Sequence, residues 1–549
     1  MVCRLRIRRT LGRFLGLAFF VYWIHLLTSV PVFKIKRMNF TEATPKDVDV
    51  AGNLNRSPDS FLPFPNLFLL PPDESDQSED YLVDDVLMSP LNLSESAQVC
   101  KNVTRPSKRD VTIVKGHYHK FWTAVTGFNA TPVYLLNFFV DDRFSDSSAS
   151  TFVRAIVSIR AAGATRSDDV AEMRRTRNWK TAIQHKTPFF AQLWFDGFAH
   201  PVAVTCKLNG AAGLARNING VYYNQYSVTC PLPNVGTTPR AVSNSLNACS
   251  QPLTYVAVVQ PRKARAPAAR DVGVCMASLY GRLGADDLPY FVSWMETLQL
   301  LGVSEVTVNN ALMHLHPVIV RAFQHYHRLG RLFVTSYPVA HEGEWAQPGR
   351  DDAATESMNK VATAECFYRN VKRYWWTLII DLDEIPVPRI AKTYQAYLTN
   401  YFQRFPHHKQ AHCLTMRSAF FYLSQEPGAP EYPVHTPVLR YTRRFEPEPM
   451  GAASHDGIGI AKSFHNPRNV VASGHHVARA SHTGTQNDML RPVLPVDEIM
   501  IHHYRKSCKY GDDCRAKWNK TINDQFLPAN FGRELRTRID YTLKTLEQN

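Results

Sequence analysis

The sequence predicts an α/β domain in its C-terminal half, built on a mostly parallel sheet and preceded by a β-rich domain and an N-terminal membrane anchor. Three observations predict it. One apolar stretch of membrane-spanning length occupies residues 14–33, aromatic-rich β-like runs fill 108–265, and strand-like and helix-like segments alternate from residue 271 onward. At 549 residues the chain exceeds one ordinary domain, so two folded units with appendages are expected.

Residues 1–13 carry Arg4, Arg6, Arg8, Arg9 and Arg13 with no acidic side chain. From Phe14 to Phe33 the only ionisable side chain is His25. Twenty helical residues span roughly 30 Å, the thickness of the bilayer hydrocarbon. The basic flank keeps the short tail cytosolic, which predicts a single-pass type II protein with its remaining chain luminal. A cleaved signal peptide fits less well, because its apolar region would be shorter and Ser29-Val30-Pro31 makes a poor cleavage site.

Residues 34–105 read as a stem, rich in Pro, Ser, Asn and acidic residues with little apolar periodicity. Glycosylation sequons stand at Asn39, Asn55, Asn92, Asn102, Asn129 and Asn519, most of them near the anchor. Nine cysteines follow Cys3, an odd number, so at least one is free or pairs between chains, as in a homodimer. Cys206 and Cys230 lie in strand-like runs, and Cys508 and Cys514 are spaced to close a short loop.

The β-rich domain is placed at 106–265. Val133–Val140, Phe152–Ile159, Phe189–Phe195 and Val221–Val228 are rich in β-branched and aromatic residues and are punctuated by Gly, Pro and Asn. A sandwich is the expected arrangement. A Pro-, Ala- and Arg-rich linker, 260–270, leads into the second domain, 266–549.

There the expected order is strand Val272–Ser278, helix Leu288–Leu301, strand Val303–Val308, helix His316–Leu329, strand Leu332–Ser336, helix Glu356–Arg373 and strand Tyr374–Ile380. Such an order places helices on both faces of a parallel sheet, with ligands beyond the carboxyl ends of the strands. At that end of the last strand stands Asp381-Leu-Asp-Glu-Ile-Pro-Val-Pro388. Strand alternation would send Asp381 and Asp383 to one side. Two adjacent carboxylates repel, and a hard cation such as Mn²⁺ or Mg²⁺ relieves that repulsion while also accepting phosphate oxygens.

Asp381-Leu-Asp-Glu384, together with Cys275–Gly281, Trp294, Cys366-Phe-Tyr-Arg369, Lys462-Ser463 and His502-His-Tyr-Arg505, resembles glycosyltransferase family 92 over about 270–515. Glu365 and Ser293 depart from the family's pattern. The resemblance implies a GT-A-type nucleotide-sugar-binding domain in a Golgi membrane enzyme. It further implies inverting transfer of galactose from UDP-galactose to a glycan acceptor. Asp383 would hold Mn²⁺ or Mg²⁺, Asp381 the metal or the ribose, with His503 as the distal metal ligand and Glu384 as support. Ser278 and Tyr280 would lie at the uridine, and Lys462 and Arg505 at the phosphates. Glu446, Glu448 and Asp456 are the candidates for general base.

The net charge of +15 is scattered along the chain, which argues against nucleic-acid binding. A glycosidase would need carboxylates flanking the glycosidic bond, a poor match to two residues apart on one strand. The alternatives are a non-catalytic luminal carbohydrate-binding protein and a transferase using another UDP-sugar.

Overall fold

The computed structural model describes residues 97–548. It leaves out 106–122, 129–130, 144–150, 161–188, 219–220, 246, 253–254, 263–270, 280–281, 311–313, 337–361, 448–460, 475, 477, 479, 482–489 and 507–519. The expected anchor at 14–33 lies outside the described residues. Among the described ones, no helix is long and apolar enough to cross a membrane.

The N-terminal part is a β domain of nine strands: β1 (Ala97–Val99), β2 (Thr123–Phe128), β3 (Thr131–Asp141), β4 (Phe152–Arg160), β5 (Phe189–Trp194), β6 (Val202–Ile218), β7 (Val221–Pro231), β8 (Ala241–Ser245) and β9 (Val256–Val259). All four runs expected to be strands are strands. Their arrangement corrects the expected sandwich, because the sheet closes on itself. The first part of β6 pairs with β5 and the remainder with β7, while β9 pairs with both β8 and β3. A strand that bends from one sheet into another makes a corner, and two such corners leave a barrel-like ring in place of two separate layers. Phe138, Val153, Val157, Leu193, Val204 and Val228 fill the interior. Disulfides link Cys206 to Cys230 beside the β6 bend and Cys100 to Cys249. Strand β1 pairs with β6, so the sheet takes in residues read from sequence as stem.

The C-terminal part runs β10 (Val272–Leu279), α1 (Leu288–Leu300), β11 (Val303–Asn310), α2 (Pro317–Arg328), β12 (Leu332–Ser336), α3 (residues 362–370), β13 (Trp376–Ile380), β14 (Glu384–Pro388), α4 (Tyr394–Arg404), β15 (Cys413–Tyr422), β16 (Arg443–Arg444), β17 (Ala461–His465), β18 (Ile499–Arg505) and α5 (Phe526–Gln548). Every expected element from 272 to 336 is present. Gly302, at φ +92°, turns the chain from α1 directly into β11.

The sheet is mixed, which corrects the expectation of a mostly parallel one. Strands β12, β11, β10 and β13 are parallel neighbours, but β17 joins β13 antiparallel and β15 joins β17 antiparallel. Beyond them β18 runs parallel to β15, and β14 antiparallel to β18. The three-residue link 381–383 is too short for the crossover that a parallel neighbour of β13 would need, and β14 pairs instead with β18. The chain therefore leaves the parallel array as soon as β13 ends.

Strand β13 is buried on both faces, as a central strand of such a sheet must be. Trp376, Leu378 and Ile380 join the main core with α1, α2 and α4, and Phe402 stacks on Trp376 at 5.6 Å between centroids. Ile379 faces the other way, against the Cys275–Cys366 disulfide that fastens α3 to β10. Gly273 completes that face, because a Cβ there would stand 2.1 Å from the Tyr374 ring.

The two parts are joined by polar and aromatic contacts. Arg143, after β3, donates to the Pro467 carbonyl and to Val470 O at 2.9 Å, and Phe139 stacks on Tyr368 of α3 at 5.7 Å. Arg143 and Arg154 both pair with Asp141, which is 1% exposed. Burial alone would raise the Asp141 pKa, but the hydrogen bonds and charges of the two arginines outweigh it and lower it to about 2. A carboxylate depressed in the folded state stabilises above its unfolded pKa, and the gain is lost as pH falls through the folded value. We expect Asp141 to contribute about 2 kcal/mol at neutral pH, disappearing between about pH 4 and 2. Urea titrations of wild type and Asp141→Asn at pH 7 and pH 3 measure this, and a stability difference that stays constant with pH would contradict it.

Candidate active site

The carboxylates expected at the sheet tip are there, although the local geometry differs from simple alternation. Strand β13 ends at Ile380, and Asp381, Leu382 and Asp383 form a tight link into β14. Glu384 N–H donates to Asp381 O at 3.2 Å, and Asp381 N–H donates to Glu384 Oε2 at 2.9 Å. The link is thus closed at both ends by the carboxylate that follows it. Trp294 of α1 donates its indole N–H to Glu384 O at 2.9 Å, and Tyr504 N–H donates to Asp383 O at 2.7 Å.

Two basic side chains serve the three carboxylates. Lys462, on β17, reaches Asp381 Oδ2 at 2.7 Å and Glu384 Oε2 at 3.3 Å. His503, on β18, places Nε2 3.1 Å from Asp383 Oδ2 and Nδ1 3.5 Å from Glu384 Oε1. Glu384 is buried between these two bases, whereas Asp383 is 41% exposed and faces outward. Burial raises the Glu384 pKa; Lys462 and His503 oppose that rise, and Asp381 and Asp383 add to it, for a net upward shift. Burial pulls His503 down, but the Asp383 hydrogen bond and the Glu384 and Asp383 charges prevail, and its pKa is raised.

His502 and His503 separate by strand alternation. His502 is wholly buried against Phe421, with ring centroids 4.4 Å apart, and burial lowers its pKa to about 3. It is a neutral core residue, and His503 is the site histidine. Arg505 donates from Nε to His503 Nε2 at 3.2 Å and lies over the Phe420 ring.

The remaining sequence candidates divide. Ser278 lies near the carboxyl end of β10, the same sheet edge as Asp381, while Tyr280, Glu448 and Asp456 lie outside the described residues. Glu446 is exposed just after β16. Lys462 is buried at 1% exposure and lies within ion-pair distance of two carboxylates, Asp381 and Glu384. Sequence reasoning missed Tyr290 on α1. Its buried hydroxyl has no hydrogen-bond partner among the described residues, and its pKa is raised by burial and then by the Asp383 charge. Placed two residues into α1, it reads in sequence only as an apolar helix position.

The donor set at Asp383 and His503 fits a divalent cation. Two ligands bound at about 2.1 Å and at right angles stand about 3 Å apart, which is the observed spacing of Asp383 Oδ2 and His503 Nε2. Glu384 Oε1 stands 3.5 Å behind Nδ1, on the side of the ring away from Asp383, and makes no hydrogen bond to it. Among the described residues no group of three or more His, Cys, Asp or Glu forms a complete metal cage. The other coordination positions would fall to phosphate oxygens and water, the usual arrangement for hard cations at phosphate sites.

The fold and site together define an α/β protein with an acidic, histidine-assisted centre at the carboxyl end of its parallel strands. The chain belongs to glycosyltransferase family 92, whose family model matches residues 270–545, just over half of its length. It is accordingly a transferase that takes a sugar donor and an acceptor. Comparison with curated proteins gives no match.

The buried charges make the site testable before any substrate is known. Lys462→Met leaves Glu384 without its cation and should cost about 3 kcal/mol in a denaturant titration. The double variant Lys462→Met, Glu384→Gln should recover a large part of that loss. Equal instability of the single and double variants would show that Lys462 does not balance Glu384.

Proposed function

We propose that the protein is a metal-dependent, inverting glycosyltransferase of the Golgi lumen that moves galactose from UDP-galactose to a glycan. The observation that carries this reading is the 3.1 Å pairing of Asp383 with His503 at the sheet tip. A bound Mn²⁺ or Mg²⁺ would be held by Asp383 and His503 and would offset the charge of the departing diphosphate. Asp381, tied to Lys462, would shape the edge of that site, and Arg505 would offer its guanidinium to phosphate. Displacement with inversion needs the acceptor hydroxyl to lose its proton as its oxygen meets the anomeric carbon. Glu446 is the described carboxylate among the three candidates for that step.

The luminal setting is supported by three disulfides, by the exposed Asn102 in its Asn-Val-Thr sequon, and by the apolar stretch at 14–33. Galactose as the transferred sugar rests on the family likeness noted in the sequence.

Purified protein incubated with Mn²⁺ and a panel of nucleotide sugars tests the reading. Transfer from UDP-galactose is expected, and chelator should abolish it. Asp383→Ala should lower the rate on the order of a hundredfold or more, with stability changed by less than about 1 kcal/mol because the side chain is exposed. Undiminished transfer in excess chelator would remove the metal from the account. Proton NMR of the first product should show a β anomeric coupling; an α coupling would overturn single displacement.

A further inference from the structure

The sheet face that carries Glu384 and His503 continues beyond them as a row of aromatic side chains. Strand β18 lies between β14 and β15, with Glu384 level with His503 and Phe420 also level with His503. Residues paired across neighbouring strands point to the same face, so Phe420 stands beside the site histidine, with ring centroids 4.8 Å apart. Tyr422, two residues on, points the same way and stacks with Phe420 at 6.2 Å. Phe445 meets Tyr422 edge-on at 5.5 Å, and its N–H donates to Phe420 O. These three rings form an apolar cluster separate from the main core. Phe420 and Tyr422 are buried within it, while Phe445 is half-exposed at its rim, followed at once by the exposed Glu446.

A separate aromatic cluster on the working face of a sheet needs an explanation that core packing does not supply. The main core lies on the opposite face, where Phe421, Ala419 and Tyr504 project. The row starts at the Asp383–His503 pair and ends at a half-exposed ring beside a carboxylate. A pyranose presents just such a mixture, with a C–H face for an aromatic ring and hydroxyls for charged rims. Arg505, over Phe420 at 5.1 Å, and Glu446 supply donor and acceptor at the two ends of the row.

On the reading given under Proposed function, we infer that Phe445, backed by Tyr422 and Phe420, forms the acceptor subsite and holds the acceptor's terminal pyranose beside the donor site. The aromatic row places the acceptor on the His503 side of the metal ligands. It also brings the acceptor hydroxyl within reach of a residue on the Phe445–Glu446 segment.

The test uses full-length protein in detergent with a printed array of N-linked glycans and simple methyl pyranosides, in Mn²⁺ and UDP. Wild type should capture at least one pyranoside-terminated class. Phe445→Ala should weaken that capture about tenfold, the scale for truncating an aromatic contact, and Phe445→Tyr should restore it. Calorimetric binding of Mn²⁺ and UDP should be unchanged in both variants, which also shows that they are folded. Capture by Phe445→Ala equal to wild type, or no capture by wild type, would overturn the subsite. Loss of Mn²⁺–UDP binding in Phe445→Ala would overturn it too, by placing the ring at the donor. Failure of wild type to bind Mn²⁺ and UDP would instead sink the function proposed above.

Discussion

The site depends on one buried carboxylate. Glu384 is 1% exposed, a costly place for a charge unless every oxygen finds a partner. Its partners are the Asp381 N–H and the Lys462 ammonium, with the His503 ring 3.5 Å from its other oxygen. The Asp381–Asp383 link is closed by the first contact and Asp381 shares its cation through the second, while His503, beside the other oxygen, meets Asp383 through Nε2. Remove Glu384 and three strands lose the element that sets their ends in register around the site. A charged group is retained in the interior because it specifies geometry that an apolar residue of the same size would leave open.

Much of the fold was legible, and the illegible parts share a cause. Runs such as Val221–Pro231 and Trp376–Ile380 identify themselves as strands because β-branched and aromatic residues crowd a few positions between turn formers. Closure of the barrel does not, because it depends on one 17-residue strand changing partner part of the way along, and the second half of β6 is rich in Gly, Ala and Asn, which do not announce a strand. The same holds for the sheet beyond β13. Alternating strand and helix segments predict parallel neighbours, but β17 and β18 enter from far along the chain, and nothing local announces their direction.

The site shows the same division. Asp381 and Asp383 stand out because carboxylates following a buried apolar run have few structural uses, and strand alternation explains why His503 and not His502 turns to them. The Lys462 partnership spans 81 residues and could not be read from spacing. Family likeness supplied Lys462 as a residue of interest and burial supplied its job. Phe420 and Tyr422 were hidden in an apolar strand, where only the pairing with β18 distinguishes one face from the other.

The seam between the barrel and the transferase part has a consequence for anyone mapping this enzyme by genetics. Arg143 and Asp142 reach across it to the Pro467–Val470 turn and to Lys372, the latter 230 positions away in the chain. A screen scored on sugar transfer will therefore recover lesions in the barrel alongside lesions at the sheet tip. Sequence distance from Asp383 will not sort the two kinds. The amount of folded protein will, because a broken seam lowers it whereas a change at the exposed Asp383 side chain does not.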